Sequence, residues 1–208
     1  MSRIETLARV TFSDHHDSVV TVLMKEREPS KVCAVGSGFI IRSVEDRCLV
    51  MTCQHVFKDF DPSKHAIRTR LCNPDSEEDA ELLYQDEARD LMLIRILGMP
   101  KTCPVLEFCD SSNVPVNSDV ILLAYLRKIT SPLQEAGGVV KHTCAGLQGC
   151  RGGPVIFQGR VFGVHTGYRS RIGIAISTET VNVAMNAWLQ IPSDVIRTTA
   201  EMIQSLTI

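Results

Sequence analysis

The sequence has no excess of basic charge: 22 Lys and Arg stand against 24 Asp and Glu, a formal net charge of −2 over 208 residues. A surface that holds nucleic acid through overall basicity is therefore not expected. No apolar run approaches the roughly 18 residues of a membrane span, so no membrane partner is expected either. The opening segment, 1–17, mixes charged and polar residues and lacks both an apolar signal core and Arg-rich transit character. The expected location is intracellular, in cytoplasm or nucleus. Repeats and low-complexity tracts are missing as well. What is present, 44% hydrophobic and 22% charged residues, is the composition of a globular chain. Its length suits one large domain or two lobes sharing an interface.

Eight cysteines, at 33, 48, 53, 72, 103, 109, 144 and 150, never form a C-x-x-C pair, and no histidine cluster accompanies them. Zinc is not expected from that spacing, and neither a metal nor a cofactor is inferred. In a reducing compartment these thiols read as small core residues, with Cys150 set apart below.

Short β-rich runs recur at 18–24, 38–41, 48–52, 91–96, 119–124, 154–157, 161–164 and 172–176, punctuated by Gly, Pro and Asp/Ser turns. That rhythm predicts an all-β sandwich or barrel rather than βαβ units. The acidic stretch 75–81 reads as a solvated loop. A short amphipathic helix is expected over 178–189, and a second over 194–206 with Ser193 as its cap. Residues 98–104, with two prolines, make the best internal linker.

Three segments carry chemistry. Thr52-Cys53-Gln54-His55-Val56 puts a histidine at the end of a β-run, and Arg89-Asp90-Leu91 puts an aspartate at the start of a later one. Gly149-Cys150-Arg151-Gly152-Gly153-Pro154 is a glycine-rich turn leading into another strand. Singly, such a histidine is a structural residue and such an aspartate a turn former. Their order is more informative: histidine, aspartate, then a Gly-x-x-Gly-Gly-Pro turn is the chain order of chymotrypsin-type triads.

On these residues the chain resembles the trypsin-like proteases of the chymotrypsin fold, and within them the HtrA/Deg branch. The likeness runs over roughly 17–189. Gly36-Ser37-Gly38-Phe39-Ile40-Ile41 looks like that family's first-barrel strand, and Asp90-Leu91-Met92-Leu93-Ile94 like its aspartate strand. Leu106-Glu107-Phe108-Cys109-Asp110-Ser111-Ser112 is similar to the segment opening its second barrel. Gly173-Ile174-Ala175-Ile176-Ser177-Thr178-Glu179-Thr180-Val181 is similar to its last strand and closing helix. The resemblance implies an all-β fold of two six-stranded β-barrels of the chymotrypsin type with short C-terminal helices. The lobes would be 1–104 and 105–208, within one protease domain.

The family's nucleophile turn reads G-x-S-G-G-P. Gly149, Gly152, Gly153 and Pro154 match it without a gap, which sets Arg151 at the serine position. The resemblance thus implies a catalytic set of His55 and Asp90 with Arg151 where the nucleophile belongs, and an oxyanion turn at Gly149 and Gly152. Arginine has no acceptor atom, stays charged and cannot attack a carbonyl. A pseudoprotease without peptidase activity is the expectation. The alternative is an endopeptidase that uses Cys150 with His55 and Asp90, since picornavirus-type cysteine proteases carry G-x-C-G-G on the same fold. That reading requires the turn to slip by one residue.

Gly163-Val164-His165-Thr166-Gly167 resembles the G-x-H-x-G strand of those cysteine proteases, whose histidine recognises a polar side chain of the substrate. The resemblance implies a substrate-binding role for His165, Thr166 and Gly167, against the plainer reading of His165 as a hydrogen-bonded barrel residue. The expected partner is a peptide or protein in the inter-barrel groove, held by strand-like pairing. The apolar stripe Val195, Ile196, Met202, Ile203 and Leu206 would dock on the barrels or serve an oligomer contact.

Overall fold

The computed structural model describes residues 2–71, 76–99, 103–110, 114–115, 118–124, 134–139, 148–169 and 172–208. Six strands close a barrel: Val19–Glu26 (β1), Val32–Val44 (β2), Arg47–Thr52 (β3), His65–Arg70 (β4), Glu78–Asp86 (β5) and Leu91–Ile96 (β6). Their order around the barrel is β1-β2-β3-β6-β5-β4, with every pairing antiparallel and β4 returning to β1. Five further strands, Asp119–Ala124 (β7), Gln134–Val139 (β8), Pro154–Phe157 (β9), Arg160–Arg169 (β10) and Ile172–Ser177 (β11), form one sheet in the order β11-β10-β9-β7-β8. The molecule is mostly β, as expected.

The apolar runs are continuous because their strands are buried on both faces. Side chains alternate across a strand. Ile40, Val50, Met92 and Ile94 fill the barrel interior. Their neighbours Phe39, Ile41, Met51, Leu91 and Leu93 turn outward and join Ile121, Leu123, Ile156 and Val164 of the second sheet in one shared core. The opposite face of that sheet holds a third cluster around Val120, Leu122, Ala124 and Val155. One alternating pattern therefore builds each lobe and also joins them.

Three helices sit outside the strands: Arg3–His15 (α1), Thr178–Trp188 (α2) and Thr199–Ser205 (α3). The strand rhythm gave no sign of α1. Ser2 caps it in a reciprocal box with Glu5, and Ala8 and Thr11 are its buried face. It packs on β7 and β8 of the other lobe, where Arg3 approaches Asp119 at 3.7 Å. α2 begins where expected, capped by Ser177, with Val181, Ala184 and Met185 buried at helical spacing.

Two expectations need correction. The acidic stretch is no loop over its second half, because β5 starts at Glu78 and pairs with β4 and β6. Its charges occupy the outward positions and meet cationic partners directly across the ladder: Asp79 with Arg68 at 2.9 Å, and Glu81 with Arg95 at 2.7 Å. Such cross-strand pairs let a charged segment serve as a strand. Residue 75 lies outside the described residues. The last helix is also shorter than 194–206. Ser193 caps nothing there; Thr198 is the cap, in a reciprocal box with Glu201. Met202, Ile203 and Leu206 are buried, whereas Val195 and Ile196, which precede the helix, are exposed.

The linker segment lies against the first barrel in the residues described: Met99 N–H donates to the Asp46 carbonyl and Cys103 N–H to the Ser43 hydroxyl. Of the six described cysteines, all carry free thiols, and Cys48, Cys53, Cys103 and Cys150 are buried. Cys109 is half-buried and Cys33 is exposed, so the core reading fails for Cys33. Cys72 and Cys144 are outside the described residues. Among the described residues no helix is long and apolar enough to cross a membrane.

Candidate functional site

The pairing of β3 with β6 brings the two dyad candidates together. Thr52 faces Met92 across the ladder, so the end of β3 lies beside the start of β6. His55 follows β3 in a short helical turn, Gln54–Phe57, and Asp90 immediately precedes β6. The carboxylate of Asp90 then accepts from His55 twice: from the backbone N–H at 2.8 Å and from ring Nδ1 at 2.7 Å. Gln54 N–H donates to the Asp90 carbonyl at 3.2 Å. Asp90 has a φ of 56°, in the left-handed region that aspartate tolerates better than most residues. With Nδ1 engaged, Nε2 is the ring nitrogen left for a reacting group, which is the arrangement of a base and its orienting acid.

The glycine-rich turn is fastened to both lobes through its backbone. Ser37 of β2 donates its N–H to the Arg151 carbonyl at 2.7 Å and its hydroxyl to the Gly149 carbonyl at 2.6 Å. Thr52 in turn donates its hydroxyl to the Ser37 carbonyl at 2.7 Å. On the other side, Gly152 N–H donates to the His165 carbonyl at 2.7 Å, and His165 N–H donates to the Gly153 carbonyl at 2.9 Å. Gly152 has a φ of 86°, and an added Cβ would lie 2.1 Å from the Ser37 carbonyl oxygen. Only glycine fits there. Gly149, at φ 106°, also uses backbone freedom that other residues lack.

Adjacent side chains of the turn go opposite ways. Cys150 is 2% exposed and packs with Val120, Leu122, Ala124 and Val155. Arg151 is exposed and lines a cavity of about 370 Å³ together with His55, Gln148, Gly149, His165 and Gly167. Within the cavity the Arg151 side chain extends toward Gly167. Its carbonyl stands 3.1 Å from where a Gly36 Cβ would be, and its Nε stands 3.9 Å from where a Gly167 Cβ would be.

Of the three substrate-binding candidates, His165 and Gly167 line the cavity. His165 is 1% exposed, with its ring edge-on to Tyr168 at 5.5 Å. Thr166 is not among the lining residues; its hydroxyl donates to the Ile174 carbonyl of β11. The register of β10 on β11 slips between His165 and Gly167, a bulge of the kind that re-aims side chains near binding sites.

Several participants carry no catalytic signal in the sequence. Ser37 and Thr52 were visible only as strand residues, yet they hold the turn. Cys53 is another: its Sγ, a donor of His55 and a carboxylate oxygen of Asp90 all lie within 4.8 Å of one another. That donor set suits a cation poorly. Burial first, and the Asp90 charge second, push the Cys53 thiol far above its ordinary range, with the Arg151 guanidinium opposing. A metal requires the thiolate. Asp90 and His55 are moreover already committed to each other.

A base held by an acid beside a backbone-fastened glycine turn, in a groove between a six-stranded barrel and a second sheet, has a counterpart among known families. The trypsin-like peptidase domain matches residues 36–164, well over half of the chain. A comparison with curated proteins finds no match. The matched span contains His55, Asp90 and the whole of the turn, and on that extent the chain belongs to the trypsin-like peptidase domain family.

Proposed function

We propose that this protein is a catalytically inactive member of its family, a pseudoprotease that binds an extended peptide or protein segment in the groove between its lobes. The observation that carries the reading is the pair of side chains at the turn. Arg151, which faces the cavity, has no atom that can attack a carbonyl, while Cys150, which has one, is 2% exposed in an apolar cluster. His55 and Asp90 remain hydrogen-bonded at 2.7 Å, a base and orienter with nothing to deprotonate. Gly149 and Gly167, which line the cavity, favour close backbone approach of a bound strand. His165 would contact a polar side chain of the ligand.

The second sheet is read here as belonging to the second six-stranded barrel of the fold. The HtrA/Deg branch, the intracellular location and the absence of metal and cofactor belong to the same reading. The test is incubation of the purified protein with labelled unstructured casein and with serine- and thiol-directed covalent probes. No turnover and no labelling that depends on His55 are expected. Labelling at Cys150 that vanishes in His55→Ala would overturn the pseudoprotease reading in favour of a cysteine endopeptidase.

A further inference from the structure

Building on the peptide-binding reading, we propose that Arg151 captures a peptide carboxylate, specifically the free C-terminus of a chain that ends in the groove. Four observations support it. The Arg151 side chain is exposed, lines the cavity and brings its Nε to 3.9 Å from where a Gly167 Cβ would be. Among the described residues no carboxylate pairs with it, whereas Arg68, Arg70, Arg89, Arg95 and Arg160, also on or beside strands, are all ion-paired. Among the described residues no Asp or Glu lines the cavity, while His55 and His165 do. Asp90, beside His55, spends both oxygens on it.

A guanidinium presents a planar fork of N–H donors that matches the two oxygens of a carboxylate. Its position argues for a terminus over a side chain. Arg151 occupies the turn position at which a nucleophile would meet the backbone of a bound peptide and not its side chains. A peptide that stops there sets its two terminal oxygens opposite the fork. The loss of a nucleophile and the preference for a finished chain end then have one cause. The residue that cannot cut a peptide is the residue that holds a cut one.

The experiment uses N-terminally fluorescent randomised octapeptide pools, read by anisotropy against the full-length protein. One pool has a free C-terminal acid, a second has a C-terminal amide, and a third is amidated with a fixed internal glutamate. The acid pool is expected to bind about 10- to 100-fold more tightly than either amidated pool, the difference that hydrogen bonds to a charged group supply. Arg151→Gln should erase that advantage, and a thermal melt matching the parent's shows that the variant is folded. Equal binding of acid and amide pools overturns this inference and leaves the peptide-binding reading intact. Preferential binding of the internal-glutamate pool overturns the terminus in favour of a side-chain carboxylate. Binding of no pool overturns both readings.

Discussion

Ser37 donates its backbone N–H to the carbonyl of Arg151 at 2.7 Å, and through that bond the first barrel fixes the turn of the second lobe. The bond is made by main-chain atoms on the Arg151 side, so any residue at that position can accept it. The turn therefore survives a change of side chain at its most consequential position. This separates what the turn does structurally from what residue 151 does chemically.

That separation predicts the behaviour of Arg151→Ser. A hydroxyl would then stand on an intact turn beside a histidine already oriented by Asp90. Fluorophosphonate labelling should appear, and casein turnover should rise roughly 10³-fold above the parent. Both gains should disappear when His55→Ala is added. Failure to label would mean that the remaining machinery is not competent.

Gly152→Ala and Gly98→Ala form a matched pair. Both positions have positive φ, 86° and 73°. At Gly152 an added Cβ meets the Ser37 carbonyl at 2.1 Å and the Thr52 hydroxyl at 2.2 Å, whereas at Gly98 nothing lies within 4 Å. Chemical denaturation should show a loss above about 4 kcal/mol at Gly152. At Gly98 only the left-handed backbone cost of about 1–2 kcal/mol should remain.

Asp90→Ala should destabilise the fold by about 2 kcal/mol, since both carboxylate hydrogen bonds are lost. Asparagine tolerates the left-handed conformation and retains one acceptor for the His55 N–H. Asp90→Asn should therefore recover at least half of that loss in thermal or urea melts.

Thiol mapping by mass spectrometry offers a further check. Of the six described thiols, Cys33 is exposed at the cavity and should alkylate first. Cys53 is fully buried and its thiol is pushed far upward by burial and by Asp90, so it should react at least about 10²-fold more slowly in the native protein. Comparable native rates for the two would contradict the packing described.

Acid should weaken the first barrel in part through Glu77. Burial works against its charge, yet the hydrogen bonds from Lys25 and Arg70 outweigh it and hold the carboxyl below its ordinary value of 4.5. A depressed carboxyl stabilises the fold above its unfolded value, and that contribution fades as pH falls through the lower folded value. Glu77→Gln should cost about 1 kcal/mol at pH 7 and little once the carboxyl is protonated in both states. A penalty that stays constant between pH 7 and pH 2 would rule this linkage out.

The sequence was most legible where burial is two-sided. Runs such as 48–52 and 91–96 feed the barrel with one set of side chains and the shared core with the other, so nearly every position is apolar. β4 and β5 escaped notice because their outward positions are charged, and the pairing of Arg68 with Asp79 exists only once the ladder forms. α1 hid for a related reason, since its buried face is as small as Ala8 and Thr11 and its partner is a distant sheet. At the site, His55, Asp90 and the turn were visible through their order. Ser37, Thr52 and Cys53 were not, because their contribution depends on which way a strand side chain or amide points after closure.

Residues 3–15 pack on β7 and β8, while at the other end of the chain the carbonyls of Leu206 and Ile208 accept from Arg42 and Arg47 of the first barrel. Each lobe is thus laced to its neighbour by the far end of the polypeptide. An affinity tag, fusion or truncation at either end therefore disturbs a contact made with the opposite lobe. Ligand searches with such handles should be run in both orientations before a negative result is believed.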